Sequence, residues 1–199
     1  MCHDTTSSQQ PTNAVRVNVR VEGKTKTHPC NGLNNHGKPP PGPTCTGALD
    51  DASKSHFSWD ATFSKEFDDF FIKTIAGETN TSQMAWIIYL NYKSINVGGC
   101  QQKVNAGDQI LFAFVNFSAP VPALHLTGPH ATVVGKEITV HVADGDGKPI
   151  AGATVHGHTT DEHGNARITF NRPGKYDLKA EKTGTIRSNT LIVEVGPGP

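Results

Sequence analysis

The stretch that decides the fold spans residues 85–117, which read AWIIYLNYKSINVGGCQQKVNAGDQILFAFVNF. It holds two apolar runs, residues 86–90 and 110–115, separated by the turn-forming segments 98–99 and 105–108. Runs that are almost continuously apolar are typical of strands covered on both faces, whereas half-exposed strands alternate. The stretch therefore predicts a buried pair of strands at the centre of a domain. It contains no recognised catalytic motif.

Three segments before this pair also predict strands. Residues 15–21 read VRVNVRV, in which four valines alternate with polar residues, as in a half-buried strand. Residues 57–63 alternate in the same way, and residues 67–75 form a further apolar segment. Residues 1–14 are polar and predict a disordered tail.

A short helix is predicted between the first and second of these strands. Thr46 is expected to cap it. Its apolar stripe would consist of Ala48, Leu49 and Ala52. One helix packed on a mixed sheet is an α+β arrangement, which we expect for residues 15–118.

A proline-rich junction, residues 119–123, separates this half from a second domain. Beyond it, residues 124–195 contain six or seven short alternating segments separated by Gly-, Asp- and Pro-containing turns. This rhythm predicts an all-β Ig-like sandwich. Residues 196–199 read GPGP and form a tail.

The charge balance excludes two classes of partner. The formal net charge is zero at pH 7, so no basic surface argues for nucleic acid or for an anionic membrane. No segment approaches the ~20 apolar residues that a membrane span needs. The first four residues, MCHD, lack the apolar region of a signal peptide. If the protein is secreted, we expect this sequence to be a mature form with an added methionine.

Cysteine usage favours an extracellular protein. Four cysteines, Cys2, Cys30, Cys45 and Cys100, contain no C-x-x-C pair, which argues against a zinc knuckle or a thioredoxin-like motif. Cys30 and Cys45 lie in the long loop 24–47, which a disulfide would tie down. The sequence alone allows three pairings of four cysteines.

Two N-x-[ST] tripeptides begin at Asn80 and Asn116. They are acceptor-type glycosylation sites, which gives weak support to secretion.

The first domain resembles a secreted β-grasp family that shares its fold with the C-terminal domain of transcobalamin and with soluble-ligand-binding β-grasp domains. The residues that carry the resemblance are VRVNVRVEG, TGALDDA, FSWDATFSKEFDDFFIKTI, NTSQMAWIIYLNY and VGGCQQKVNAGDQILFAF. The second domain resembles a bacterial-type Ig-like repeat through DGKPIAGATV, TTDEHGNARITF, RPGKYDLKAE and IRSNTLIVEV. The order of the two domains is similar to that of surface or cell-wall proteins of actinobacteria and filamentous fungi.

The resemblance implies a β-grasp domain over residues 15–118 and an Ig-like domain over residues 124–195. In that family a Cys-x-Gly early in the long loop recurs with the Gly-Gly-Cys before the last hairpin. It therefore favours a Cys30–Cys100 disulfide and leaves Cys45 to pair with Cys2. The large helical domain that supplies most of the cobalamin site in transcobalamin has no counterpart in this sequence, so the resemblance does not imply a corrinoid. No cofactor is expected.

Histidines offer a candidate metal site. His156 and His158 are two residues apart, and His141 is expected on an outward face. Three imidazoles on one face would suit a divalent transition metal, but the strands concerned were also expected to belong to different sheets, which favours ordinary surface histidines. The doublets 50–51 and 68–69 are poor acid/base pairs, since adjacent side chains point apart.

No catalytic residue is predicted, and we expect a non-enzymatic protein. The leading interpretation is a secreted, cell-surface or cell-wall-associated binding, adhesion or structural protein. Its expected partners are a cell-wall glycan, a host or surface protein, or a small soluble ligand. One alternative is a soluble small-ligand or glycan binder that uses the β-grasp face at Asn91, Tyr92 and Asn96. The other is a hydrolase with an unrecognised site.

Overall fold

The computed structural model describes residues 17–22, 30–32, 43–54, 56–64, 66–67, 69–119 and 121–198. Over these residues the chain divides into two compact units, Met1–Pro120 (unit 1) and Val121–Pro199 (unit 2). The domain boundaries drawn from the sequence stay a prediction.

Unit 1 contains one helix and eight strands among its described residues. In chain order they are β1 (Val17–Glu22), β2 (Cys30–Gly32), α1 (Cys45–Ser53), β3 (Trp59–Ser64), β4 (Asp69–Ile75), β5 (Glu78–Thr79), β6 (Met84–Leu90), β7 (Lys93–Ser94) and β8 (Gln109–Asn116). They form a five-stranded sheet in the order β2-β1-β8-β6-β7 and a separate three-stranded sheet in the order β3-β4-β5.

The two strands predicted as a buried pair are β6 and β8; β8 is buried at its centre, whereas in β6 only Trp86 and Tyr89 are buried. They pair antiparallel from Met84 opposite Asn116 to Leu90 opposite Ile110, and β8 also pairs in parallel with β1. Because β8 has a neighbour on each edge, four consecutive residues at its centre, 110–113, are buried. The apolar run of the sequence reflects this central place.

Helix α1 closes over the core of unit 1. Its predicted stripe is confirmed, since Ala48, Leu49 and Ala52 are all buried. The predicted cap is wrong by two residues: Thr44 is the N-cap, and its hydroxyl oxygen accepts a hydrogen bond from the Gly47 amide at 3.4 Å. The core that the helix completes consists of Val19, Cys45, Ala48, Leu49, Ala52, Ile72, Ile75, Trp86, Val104, Ile110 and Phe112.

Unit 2 contains nine short strands among its described residues. They are β9 (His125–Thr127), β10 (Ala131–Val133), β11 (Ile138–Ala143), β12 (Thr154–Val155), β13 (His158–Thr159), β14 (Asn165–Ile168), β15 (Gly174–Leu178), β16 (Ala180–Glu181) and β17 (Leu191–Gly196). They form three three-stranded sheets in the orders β10-β17-β15, β14-β11-β9 and β13-β12-β16. The alternating positions of the sequence point into one core, with Val140, Ile168 and Val193 completely buried.

The predicted fold class, an α+β β-grasp domain followed by an all-β Ig-like sandwich, is wrong. Strands hold 46% of the described residues and the short helix only 6%, so the structure is predominantly β and is built of small sheets. In unit 1 the sheet is split, because β4 pairs with β3 and β5 and not with the central strands. In unit 2 three small sheets replace the two sheets expected of an Ig-like sandwich. Hydrophobic period identifies strands but not how they are distributed among sheets.

Candidate functional site

A cleft lies beside the β3–β4 hairpin of unit 1. It is small, with a cavity volume of about 60 Å³, and it is partly open to solvent. Its lining residues come from α1, from three consecutive positions of β3 and from β4, and they are Asp50, Trp59, Asp60, Ala61 and Phe70. The lining therefore includes two aromatic and two acidic residues.

The register of the hairpin brings these residues together. The pairing places Ala61 opposite Ile72 and shifts between Asp60 and Ala61. Successive residues of a strand point to opposite faces, and the extra residue of this irregularity, Lys73, lies on β4, so on β3 Trp59 and Ala61 share one face and the Asp60 side chain lies on the other. Asp60 and Ala61 both line the cleft at this point.

The indole of Trp59 is fixed by a hydrogen bond. Its Nε1–H donates to Oδ1 of Asp50 at 3.2 Å, which ties β3 to α1. Phe70 is held in turn by Phe63, the residue opposite it, with ring centroids 5.2 Å apart and ring planes at 63°. Edge-to-face packing of this kind stabilises the orientation of a ring. The aromatic walls are thus preformed.

The cleft is negatively charged. Asp50 and Asp60 are its ionisable residues, and neither forms an ion pair with a lysine, arginine or histidine in the described part of the chain. Asp60 is exposed, and within the same described ranges its carboxylate accepts no hydrogen bond. The arrangement can attract a positive charge or accept hydrogen bonds from a ligand.

Few features of the sequence indicate this cleft. The alternation of residues 57–63 predicts a buried face that includes Trp59, but Trp59 is only half-buried. Asp50 was set aside with its neighbour Asp51 because the two point apart, yet Asp50 alone faces β3. A usable signal lies in residues 70–71, two adjacent phenylalanines on one strand, since only one of them can face the core.

The residues predicted to bind a ligand lie elsewhere, in and after the turn between β6 and β7. Asn91 and Tyr92 have positive φ values of 51° and 69°, and Asn96 is exposed in the following loop. The Asn91 amide donates to Oδ1 of Asp108 and its oxygen accepts from the Gln109 N–H, both at 2.9 Å. Asn91 is therefore occupied in holding two turns together. Binding by these three residues stays a prediction.

The Gly98-Gly99-Cys100 loop is hydrogen-bonded to the β3–β4 hairpin through Asp69. This carboxylate is buried and accepts hydrogen bonds from the main-chain N–H groups of Phe70, Cys100 and Gln101, at 2.6 to 3.2 Å. A Cβ atom on Gly98 would lie 2.0 Å from Oδ2 of Asp69, so only glycine permits this approach. The role is structural, because the carboxylate is enclosed by its own chain.

Cys45 lies at the start of α1 beside the same loop. It is completely buried, and this burial, with the nearby Asp108 and Asp69 carboxylates, raises the pKa of its thiol to about 12. Such a thiol is a poor nucleophile. Cys45 is a free thiol in the structure.

The predicted disulfides cannot be followed to their partners. Cys2 and the side chain of Cys30 lie outside the described residues. The predicted Cys30–Cys100 pairing therefore stays a prediction, whereas the predicted Cys2–Cys45 pairing is not formed in the structure, because Cys45 is a free thiol there. Cys100 itself is buried at the point where the loop meets Asp69.

The three candidate metal-binding histidines are not gathered into one site. His141 lies in β11, where its Nδ1 is 3.1 Å from Oδ1 of Asn165, whereas His158 lies in β13 of another sheet. His156 occupies the turn between β12 and β13 and packs against Phe170, at 5.5 Å between ring centroids. Among the described residues, no three His, Cys, Asp or Glu side chains are placed to hold a metal ion.

The two glycosylation tripeptides differ in environment. Asn80 is half-buried; its amide donates to the Ile72 carbonyl at 2.8 Å and its oxygen accepts from the Trp86 N–H at 3.2 Å. Asn116 is exposed, and its oxygen accepts from the Ser118 N–H at 2.9 Å. Glycosylation at both positions stays a prediction, and the geometry favours Asn116.

Across the described ranges, no helix combines the length and the apolar character needed to cross a membrane.

Comparison with known proteins places the cleft inside a family match. No curated protein matches the chain. Residues 48–116, which include every residue that lines the cleft, match a family described as a domain of unknown function (DUF4430). This family is related to the transcobalamin-like fold, and that part of the resemblance is confirmed.

Proposed function

We propose that this chain is a non-enzymatic binding protein of the cell surface or cell wall, and that the cleft of unit 1 binds a small ligand or a single group of a larger one. The observation that carries the proposal is a cleft whose lining combines two aromatic residues, Trp59 and Phe70, with the carboxylate of Asp50 that orients the Trp59 indole. Binding sites combine apolar and aromatic walls with a few polar groups that fix orientation. The extracellular setting rests on the cysteines and on the sequons.

The two tryptophans provide a reporter for binding. Trp59 lines the cleft, whereas Trp86 is buried in the core and donates its Nε1–H to the Glu78 carbonyl at 2.9 Å. A ligand in the cleft should therefore shift the indole resonance of Trp59 and leave that of Trp86 in place.

The test is a screen of glycans, cell-wall fragments and metabolites by ¹⁵N NMR of the two indole N–H groups. We expect hits that shift Trp59, bind Phe71→Ala normally and fail to bind Trp59→Ala. Phe71 is the matched control because it is 63% exposed and does not line the cleft. A screen in which no compound shifts Trp59 would overturn the binding function. Ligands recovered chemically altered would overturn its non-enzymatic character.

A further inference from the structure

Strand β3, which lines the cleft, also has a free edge. Resting on the proposed function, we propose that this edge binds an extended polypeptide segment of a protein partner. The segment pairs with β3 as an additional strand and directs one small apolar side chain into the cleft. The group that enters the cleft is then an amino-acid side chain.

The unpaired edge is the first support. β3 is the outermost strand of its sheet and pairs only with β4. Outside that pairing, no main-chain group of residues 59–64 forms a hydrogen bond with another described residue. The edge of such a strand offers its unpaired N–H and C=O groups to a further extended chain.

The direction of these groups follows from the β3–β4 register. The Ser58 carbonyl, just before β3, accepts a hydrogen bond from the Ala76 N–H at 2.8 Å, so the main-chain groups of Ser58 point to the β4 side. Neighbouring residues of an antiparallel strand point these groups in opposite directions, and the extra residue of the irregularity is not on β3. The N–H and C=O groups of Trp59, Ala61 and Phe63 therefore point away from β4 and are free to pair.

The cleft is the second support. Trp59 and Ala61 share one face of β3, and both line the cleft. Residues directly opposite each other in a strand pair direct their side chains to the same face. The docked residue that pairs with Ala61 therefore directs its side chain toward the cleft. Since one water needs about 10–15 Å³ of cavity, about 60 Å³ holds a group of a few heavy atoms, such as a valine side chain.

Charge is the third support. The Asp60 side chain lies on the other face of β3, is exposed and forms no ion pair with a lysine, arginine or histidine of the described chain. A docked residue opposite Asp60 shares that face, and a lysine or arginine there complements the carboxylate. β3 reads WDATFS and contains no basic residue, so a second copy of β3 does not supply this charge. The charge therefore favours a partner segment over self-association.

The probe is the peptide acetyl-Thr-Val-Thr-Val-Lys-Thr-Gly-amide. In antiparallel pairing its second valine lies opposite Ala61 and its lysine opposite Asp60. Two N-methylated forms are matched to each other. N-methylation of the second valine removes a donor that points at β3, whereas N-methylation of the lysine removes one that points to solvent. A further form replaces the lysine by glutamate.

Each peptide is titrated against the ¹⁵N-labelled protein and followed at the Ala61 main-chain N–H and the Trp59 indole N–H. We expect the parent peptide to shift both resonances with a Kd of about 1 mM or tighter, and to slow hydrogen exchange of the Ala61 amide. The Thr62 amide is the internal control, because it points at β4 with or without the peptide.

The variants give graded effects. N-methylation of the second valine should weaken binding by at least about tenfold, and N-methylation of the lysine by no more than about twofold. The glutamate peptide should bind about three- to tenfold more weakly than the parent, and Asp60→Lys should reverse that preference. Ala61→Pro should abolish binding while β3 still pairs with β4, because proline is tolerated where an edge N–H points away from the sheet.

The outcomes separate the two proposals. If both N-methylated peptides bind equally, or if no peptide at about 5 mM shifts Ala61, edge pairing is overturned. The binding function still stands in that case if a compound of the wider screen shifts Trp59. If the free protein sediments as a dimer in which the Ala61 amide already exchanges slowly, a second copy occupies the edge and the partner segment is overturned.

Discussion

The β3–β4 and β6–β8 pairs of unit 1 are both rich in aromatic residues but use them in opposite ways. In the β6–β8 pair, Trp86 is 7% exposed and Phe112 is completely buried. In the β3–β4 pair, Phe63 is 47% exposed and Phe71 is 63% exposed. The difference lies in how the faces are covered: consecutive residues 110–113 of β8 are all buried, whereas the three-stranded sheet exposes Phe71 even though β4 is its middle strand. We infer that the β6–β8 pair builds the unit and that the β3–β4 pair presents side chains to a ligand.

The largest expected effect comes from the most buried ring. Phe112→Ala should lower the free energy of unfolding by about 3–5 kcal/mol, because it removes a buried ring and leaves a cavity. Phe71→Ala should change it by no more than about 0.5 kcal/mol. Denaturant unfolding of both variants measures the difference. Equal losses would show that the two pairs do not differ in the way proposed.

A pair of carboxylates on the β3–β4 hairpin gives the next effect. Asp69→Asn should cost about 2 kcal/mol, because an amide N–H₂ would face main-chain N–H groups that Asp69 now accepts from. Asp60→Asn should leave stability unchanged, since Asp60 is exposed and accepts no hydrogen bond within the described residues. Thermal and denaturant unfolding measure both losses. A larger loss for Asp60→Asn than for Asp69→Asn would contradict the structural role of Asp69.

The buried residues of each unit could be predicted because their burial follows from the hydrophobic pattern of their own segment. The run 110–113 is apolar on both faces and proves to be a central strand, and the helix stripe Ala48, Leu49 and Ala52 is buried. The alternating positions of unit 2 behave likewise, with Val140 and Val193 completely buried. In each case a residue's environment follows from the period of its own segment.

The cleft and the division into sheets depend on distant parts of the chain. Residues 57–63 alternate and predict one buried face, yet Phe63 of that face is half-exposed, because nothing in the strand's pattern specifies what covers it. The cleft joins a helix residue, Asp50, to the β3–β4 hairpin through the hydrogen bond from Trp59. The sequence pattern predicts a ligand site instead in the loop after β6, where aromatic Tyr92 and polar Asn91 are adjacent, but there Asn91 is hydrogen-bonded within its own chain.

A smaller effect is expected where the two pairs are joined. Asn80 donates to the Ile72 carbonyl of β4 and accepts from the Trp86 N–H of β6. Asn80→Ala should therefore cost about 1–2 kcal/mol, because it leaves both main-chain groups without this partner. Asn116→Ala at the exposed end of β8 should cost no more than about 0.5 kcal/mol.

The same asymmetry predicts where a glycan attaches. In protein made by a secreting eukaryotic host, peptide mapping by mass spectrometry should find occupancy at Asn116 well above that at Asn80, whose amide is engaged. Higher occupancy at Asn80 would show that the contact between the two pairs opens readily.

The smallest expected effect is a pH dependence of the free energy of unfolding. It arises at Cys45 of α1, near residues of both strand pairs. Asp69, at the start of β4, and Asp108, just before β8, both act on the buried Cys45 thiol, whose pKa is raised from 9.0 to about 12. Above pH 9 the unfolded chain ionises this thiol while the folded protein keeps it neutral. Its contribution to stability is therefore complete below pH 9 and is lost progressively up to pH 12, by about 1 kcal/mol at pH 10.

Denaturant unfolding at pH 7.5 and pH 10 under reducing conditions isolates this contribution, with Cys45→Ala as the reference. The reference differs from the wild type at both pH values through the lost packing of the sulfur, so only the change between the two pH values reports on ionisation. The wild type should lose about 1 kcal/mol more than Cys45→Ala on going to pH 10. If both lose the same amount, the thiol is reached by water in the folded state. Water would then reach the contact between α1 and the β6–β8 pair, as it reaches the β3–β4 hairpin. The two pairs would differ only in the burial of their aromatic residues.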